Sequence, residues 1–423
     1  MINPLNIFKI GDLRRRLLAI VGLLAVFRIM AAVPVPGVDV LRLEELLAGS
    51  QLLGFLNLFS GGGLSNLSIV MLGVGPYITA TIIMQLLTIV FPNLKKLYFE
   101  EGEIGRAKFN RLSRLITVPL AAVQSYGFIN FLNSRGVFFN LTPSTLLFDV
   151  LIVTAGSIAL MWIGELITEY KFGNGVSLII LAGIVSGLPQ AIQASFFSLQ
   201  SGTLDPAAII AFLVIALIVI GGVVFITEGE RKIPVSYARR VRGNKLYGGV
   251  STYLPLRVNQ AGVIPIIFAI SILLFPQFIA QAAVLISPAV SLVLNGWANA
   301  FFNNLLLYGL AYFVLVVVFT YFYTAVTFDP KEISKNLQQA GGFVPGLRPG
   351  DQTSSFLSKV INRTTLFGSL FLGAIAVLPL VVQGFFPNLS FLTIGGTSLL
   401  IVVSVALETM RQVESQLTIR AYD

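Results

Sequence analysis

Few residues of this chain could do chemistry away from water. Arg28, Asp149, Glu165 and Glu408 are the ionisable side chains that fall in long apolar runs, and all lie toward the ends of those runs. A proton or ion relay across a membrane needs such groups near the midplane, so one has little to work with here. Histidine and cysteine are both absent. That removes imidazole relays, thiolate nucleophiles, disulfides and zinc sites of the usual kind. No lysine lies in an apolar run to serve a Ser–Lys pair, and Asp149 has no second aspartate for paired-acid catalysis. No G-x-x-x-x-G-K-[ST] phosphate cradle occurs, so directional work would draw on a partner or a gradient. The residue types point away from an enzyme, with no cofactor and no metal, and toward binding and passage.

The elements that must position these residues are membrane helices. Hydrophobic residues make up 56% of the 423 positions and charged residues 11%, against about 25% charged in an ordinary soluble domain. A span needs about 20 apolar residues. Ten candidates lie near 17–36, 70–92, 115–133, 146–168, 174–193, 207–227, 259–286, 301–327, 365–386 and 391–410. Lys9, Arg14, Arg15 and Arg16 precede the first, and Pro34-Val35-Pro36-Gly37 ends it without a convincing cleavage site. The start reads as a retained helix with an amphipathic lead-in.

Ten spans put both termini on one side. Under this topology 25 of the 28 lysines and arginines fall on that side, and the opposite side keeps only Arg42 and Arg135. Missing one span in the middle would destroy this asymmetry, so it supports the count and makes the basic side cytoplasmic. The loops 228–258 and 328–364 are long, basic and mixed with aromatic residues, suited to docking an acidic partner or RNA phosphate.

The chain also repeats itself. Gly73-Val74-Gly75-Pro76-Tyr77-Ile78 matches Gly262-Val263-Ile264-Pro265-Ile266-Ile267, and Gly175-Val176-Ser177-Leu178-Ile179-Ile180 matches Gly396-Thr397-Ser398-Leu399-Leu400-Ile401. Both pairs are five spans apart. Five is odd, so the two halves, 1–200 and 201–423, are expected to be inverted copies. Before span two, short apolar pieces flank Ser60-Gly61-Gly62-Gly63. Neither piece can cross a bilayer, and irregular backbone at membrane depth survives only inside protein or beside a water-filled cavity. The segment reads as a stopper or as an interfacial re-entrant loop.

The stretches Phe59–Leu64, Pro76-Tyr77-Ile78, Gln85-Leu86-Leu87, Gly173-Asn174-Gly175, Asn259–Pro265, Gly342–Gly350 and Gly395–Ile401 resemble, in order and from about residue 10 to 415, the SecY family. These proteins are the central channel subunits of bacterial protein translocases. The resemblance implies an all-α polytopic fold of ten transmembrane helices in two pseudo-symmetric inverted halves of five, with a short re-entrant plug helix at about 54–70. It implies passage of unfolded polypeptides across the membrane and lateral insertion of hydrophobic segments into lipid. The alternative from the residues alone is an inverted-repeat transporter or facilitator for a small neutral solute.

By position in the family's motifs, Val74, Ile78, Val176, Ile180, Ile267 and Ile401 would form an apolar pore ring. Such a constriction dewets and blocks ions when empty. Phe59, Ser60, Gly61, Gly62, Gly63, Leu64, Ser65, Asn66 and Leu67 would belong to the plug. Gln85, Gln124 and Asn259 resemble a polar lateral-gate cluster, where mutual hydrogen bonds could hold the gate shut, or ordinary helix-to-helix polar contacts. Arg239, Arg240, Lys245 and Arg348 would meet the ribosome, including its RNA, or the motor ATPase SecA; Asn244 stands where relatives often carry a basic residue. The resemblance also implies the small subunits SecE and SecG, signal peptides and translocating chains as partners, and the bacterial plasma membrane as location.

Overall fold

The computed structural model describes residues 10–39, 42–43, 46, 57, 60–99, 101–139, 141–202, 206–237, 240–242, 245–247, 251–283, 287–385 and 390–421. In the first half, α1 is Gly11–Ala32, α2 Gly75–Val90, α3 Pro92–Phe99, α4 Gly102–Ser134, α5 Pro143–Glu169 and α6 Gly175–Gln200. In the second, α7 is Pro206–Glu228, α8 Ile264–Ala282, α9 Pro288–Asn303, α10 Leu305–Thr327, α11 Pro330–Gln339, α12 Asp351–Phe385 and α13 Ser390–Ala421. Each of the ten apolar runs falls on one helix: α1, α2, α4–α8, α10, α12 and α13. Among the described residues four helical stretches are by themselves long and apolar enough to cross a membrane, 102–134, 143–169, 305–339 and 351–382. The chain is a multi-pass membrane protein with the helices exposing leucine, valine and phenylalanine outward, as on α7 and α10.

Local chemistry sets the helix ends. Thr142 caps α5 in a reciprocal box with Thr145, and Pro143 fills its first turn, where no amide partner is needed. The Asn174 side chain caps α6 by accepting from Val176 N at 3.0 Å and Ser177 N at 3.4 Å. At Phe91-Pro92 the axis turns by 113° from α2 into α3, because proline cannot continue the hydrogen-bond ladder.

The repeat is visible in backbone geometry. Gly73 and Gly262 both have left-handed φ, +58° and +62°. A helix begins two residues after each, with proline in its first turn. The second pair is less alike: Gly175 opens α6, whereas Gly396 lies inside α13. Within the first half α4 packs on α2 and α5, α5 on α6, and α1 on α5 and α6. Within the second, α12 packs on α10 and α13, α8 on α10, and α7 on α13. The halves meet along two seams, α8 against α2 and α4, and α13 against α6.

The basic loops add a small sheet to this helical chain. Strands β1 (Glu230–Tyr237) and β4 (Ser251–Arg257) pair antiparallel, Ile233 opposite Leu254. Strands β2 (Arg240–Arg242) and β3 (Lys245–Tyr247) pair antiparallel in a sheet of their own, and β5 (Gly342–Phe343) joins β1, for the order β4-β1-β5. Alternation explains it: Ile233 and Val235 point inward while Lys232 and Pro234 face water. Ile233 and Leu256 pack on Val344, Leu357, Val360 and Ile361, so the sheet sits on the first turns of α12.

Candidate functional site

Five of the six ring residues, Val74, Ile78, Ile180, Ile267 and Ile401, are buried in one apolar cluster, and half-buried Val176 packs against it. They come from four places in the chain. Val74 caps α2 and Ile78 lies in its first turn; Val176 and Ile180 lie in the first turns of α6; Ile267 opens α8; Ile401 sits within α13. These four helices are among those that form the two seams, and the cluster they share is the main apolar core, with members from both halves. None of the six side chains is ionisable.

A cavity of about 460 Å³ adjoins the cluster. Ile78, Val176 and Ile267 line its apolar part, and Asn110, Arg114, Glu165 and Asn174 line the part at the ends of α4–α6 that carry the basic loops. Its volume is that of a small-ligand pocket, so it admits side chains but no folded domain. At its mouth the Arg114 guanidinium donates from Nε to Glu165 Oε1 at 2.6 Å. Tyr77, Thr81, Gln85, Glu169 and Ser177 line the cavity as well, so its wall combines aliphatic, polar and charged side chains.

On the other side of the cluster lies the glycine-rich segment. The described part, 60–74, is a succession of turns, with left-handed φ at Gly61 (+66°), Gly62 (+82°), Leu67 (+43°) and Gly73 (+58°). The resemblance implies a helix at about 54–70; Asn57 is helical, 54–56 and 58–59 lie outside the described residues, and from Ser60 on three successive glycines and the left-handed residues favour turns. Leu64 and Leu67 are fully buried in a second cluster with Phe128, Ile129 and Val153. The segment is strapped to the end of α1 by Val35 N donating to Leu67 O at 2.8 Å and Ile69 N to Val33 O at 3.0 Å. Ser65 N donates to Asn57 Oδ1 at 2.9 Å and Leu64 N to Ser60 Oγ at 3.0 Å. Its tip reaches deep: a Cβ placed on Gly183 of α6 would fall on the Gly61 Cα, and one on Gly156 of α5 would fall on the Ile69 carbonyl. Gly183 is three residues past Ile180, about 4.5 Å along the helix axis. The turn segment thus ends about one helical turn from the ring. Phe59 lies outside the described residues.

Of the three amides, Gln85 lies in α2, Gln124 in α4 and Asn259 in the turn before α8, and they do not bond one another among the described residues. Asn259 Nδ2 donates to Gly262 O at 3.2 Å within its own turn. Gln85 Oε1 and Asn259 Oδ1 are buried without a protein partner, and Gln124 is buried within α4. The expected mutual hydrogen bonds are absent among the described residues. The turn before α8 takes the Asn259 amide for itself, a local bond with little ordering cost.

Arg348 is exposed in the turn after β5. That turn is fixed by Thr353 Oγ1 donating to Arg348 O at 2.9 Å and Ser334 Oγ to Gly350 O at 2.7 Å. The backbones of Arg240 and Lys245 lie in β2 and β3, with Arg242 opposite Lys245; Arg239 lies outside the described residues. Sequence reasoning missed the hairpin, the α9 helix and the Gly61–Gly183 approach. A period-two pattern at Ile233 and Val235 was the available signal for the first; the close approach of two glycines has none.

The SecY family's sequence model matches residues 68–410. A protein translocase subunit SecY of Thermus thermophilus is 45% identical over 425 residues, covering 98% of this chain and 95% of the relative. One from Streptomyces coelicolor is 41% identical over 438 residues, covering 98% and 97%. Among solved structures, a protein-conducting channel aligns with a TM-score of 0.67 at 21% identity, over 94% of this chain and 90% of that one. A Sec61 chain from a canine ribosome–channel complex of the endoplasmic reticulum aligns at 0.63, with 21% identity and the same coverages. At such identities the structural matches speak for the fold.

Proposed function

The chain belongs to the SecY family and is a protein-conducting channel, and we propose that its throat is the apolar ring of Val74, Ile78, Val176, Ile180, Ile267 and Ile401, closed at rest by the turn segment 60–67. The observation that carries this is that Ile78, Val176 and Ile267, from both halves, line one cavity, with Val74, Ile180 and Ile401 buried in the apolar core beside them. Branched aliphatic side chains exclude water and ions from an empty throat. They can also part around an extended chain without offering hydrogen bonds that would hold it.

In this reading residues 1–200 and 201–423 are the two halves that open. The α2/α4–α8 seam is the lateral exit to lipid, with Gln85, Gln124 and Asn259 near it. Amides that do not bond one another at such a seam suit a contact that must open, since parting them leaves no mutual bond to break. Both termini and the basic loops face the cytoplasm of a bacterial cell, under the charge asymmetry of the loops. The hairpin tip with Arg239, Arg240 and Lys245, and the turn with Arg348, dock the ribosome and its RNA or the motor SecA. SecE and SecG complete the complex, and signal peptides enter at the seam. A small-solute transporter is not favoured, because the six ring residues offer no polar or charged coordination site.

The test is made in proteoliposomes containing the chain and its small partner subunits. The wild type should transport an unfolded secretory preprotein and hold an ion gradient at rest. Replacing Ile78, Ile180, Ile267 and Ile401 with serine should leak ions at rest. Unchanged resting conductance refutes the ring, and small-solute uptake without preprotein transport refutes the whole reading.

A further inference from the structure

We infer that Arg28 is the latch that holds the turn segment in its seat, acting as a positioning residue for the closed state. The inference rests on the reading of that segment as a plug. Arg28 is the one lysine or arginine of the sequence that falls inside an apolar run and away from the loops. A cation in a membrane helix is costly, and such residues are placed where they act. Its Nη1 donates to the Gly61 carbonyl oxygen at 2.8 Å, thirty-three residues away. The same Nη1 would lie 3.5 Å from a Cβ on Gly62, so the guanidinium lies alongside two successive glycines of the tip.

Two features make this contact a latch. Gly61 and Gly62 have left-handed φ, which turns the Gly61 carbonyl toward α1 in a geometry that L side chains rarely adopt. The Gly61 position is also closed by Phe27, whose Cζ would collide with a Cβ there. Neighbouring residues of one helix thus shape the seat, Phe27 by form and Arg28 by charge. The partner is a neutral carbonyl. A charge-assisted bond to a neutral acceptor is strong enough to bias the seat and weak enough to release it, unlike a buried ion pair. When the segment leaves, the guanidinium's five donors can turn to backbone carbonyls of a passing chain, which limits the cost of release.

The absence of cysteine gives a clean probe. Ser60, fully buried at rest, is replaced by cysteine, and its labelling by a membrane-impermeant maleimide is followed in proteoliposomes with the small subunits. Resting ion leak is recorded alongside. Arg28→Gln should raise both labelling rate and leak by roughly 10- to 100-fold, the range set by losing one charged hydrogen bond. Arg28→Lys, which keeps a charged donor, should recover most of the resting seal. Wild-type labelling and leak in Arg28→Gln overturns the latch. Leak without faster labelling, or no recovery with lysine, assigns Arg28 to helix packing and overturns it as well. The plug reading fails separately: in the Arg28-containing protein, a translocating preprotein would then leave the labelling of the Ser60→Cys probe unchanged.

Discussion

Replacing Gly183 with alanine should loosen the plug without touching a plug residue. The new methyl falls on the Gly61 Cα, backbone against backbone, with Gly61 C and O also within reach. Neither partner can rotate away, so the tip must shift. Overpacking of this kind costs about 1–3 kcal/mol. Against it stands the burial of Leu64 and Leu67, both fully enclosed, worth about 1.5–3 kcal/mol each. Burial of the two leucines together outweighs the clash, so the segment stays seated in most molecules. Its displaced fraction should still rise about 5- to 150-fold, at 1.4 kcal/mol per tenfold. Resting chloride efflux from proteoliposomes reads this directly. Gly187 is the control, one turn further along α6, where a Cβ meets nothing within 4 Å. Both substitutions raise helix propensity equally, so their difference isolates the contact. Equal efflux from Gly183→Ala and Gly187→Ala, or none above wild type, refutes the packing argument.

Two further outcomes are expected. Arg348→Glu should weaken motor or ribosome docking about tenfold near 0.1 M salt and less at higher salt, because the side chain is exposed and its field is screened; sedimentation with each partner and preprotein export would read it. Arg411→Ala should free the junction between α7 and β1. It removes the bond from Nη2 to Thr227 O at 2.6 Å and the ion pair with Glu228 at 2.7 Å. Glu228 is half exposed, so the carbonyl bond carries most of the loss, about 1 kcal/mol, seen as roughly fivefold faster amide exchange at 227–230.

Part of the scaffold was legible in the sequence. The G-V-x-P-x-I repeat marked two helix starts because glycine and proline carry backbone instructions: left-handed φ two residues ahead, then a first-turn proline. The ring residues were singled out only through the family motif, since Ile and Val are too common here for any one to stand out. Helix ends were less legible. α4 begins thirteen residues before its apolar run and α12 fourteen before its own, because hydropathy reports where lipid ends and not where the helix does. α9 was missed because Val290, Leu292, Val293 and Trp297 make an apolar surface helix too short to register as a span. For the three amides the sequence left mutual bonds and ordinary helix contacts both open, and Asn259 bonds within its own turn, because a side chain chooses between a neighbour in sequence and one in space.

Composition alone made lipid the solvent, and the apolar runs together with the placement of lysine and arginine gave the ten-span expectation and its orientation. Those properties are sums over residues, and no contact between distant segments enters them. Which glycine faces which, whether Arg28 finds a carbonyl, and whether six aliphatic side chains from four helices share one cluster are different in kind. Each depends on two or more segments arriving at one place with a given rotation, and a shift of one residue in a helix turns a side chain by about 100°. Only the packed tertiary structure decides them.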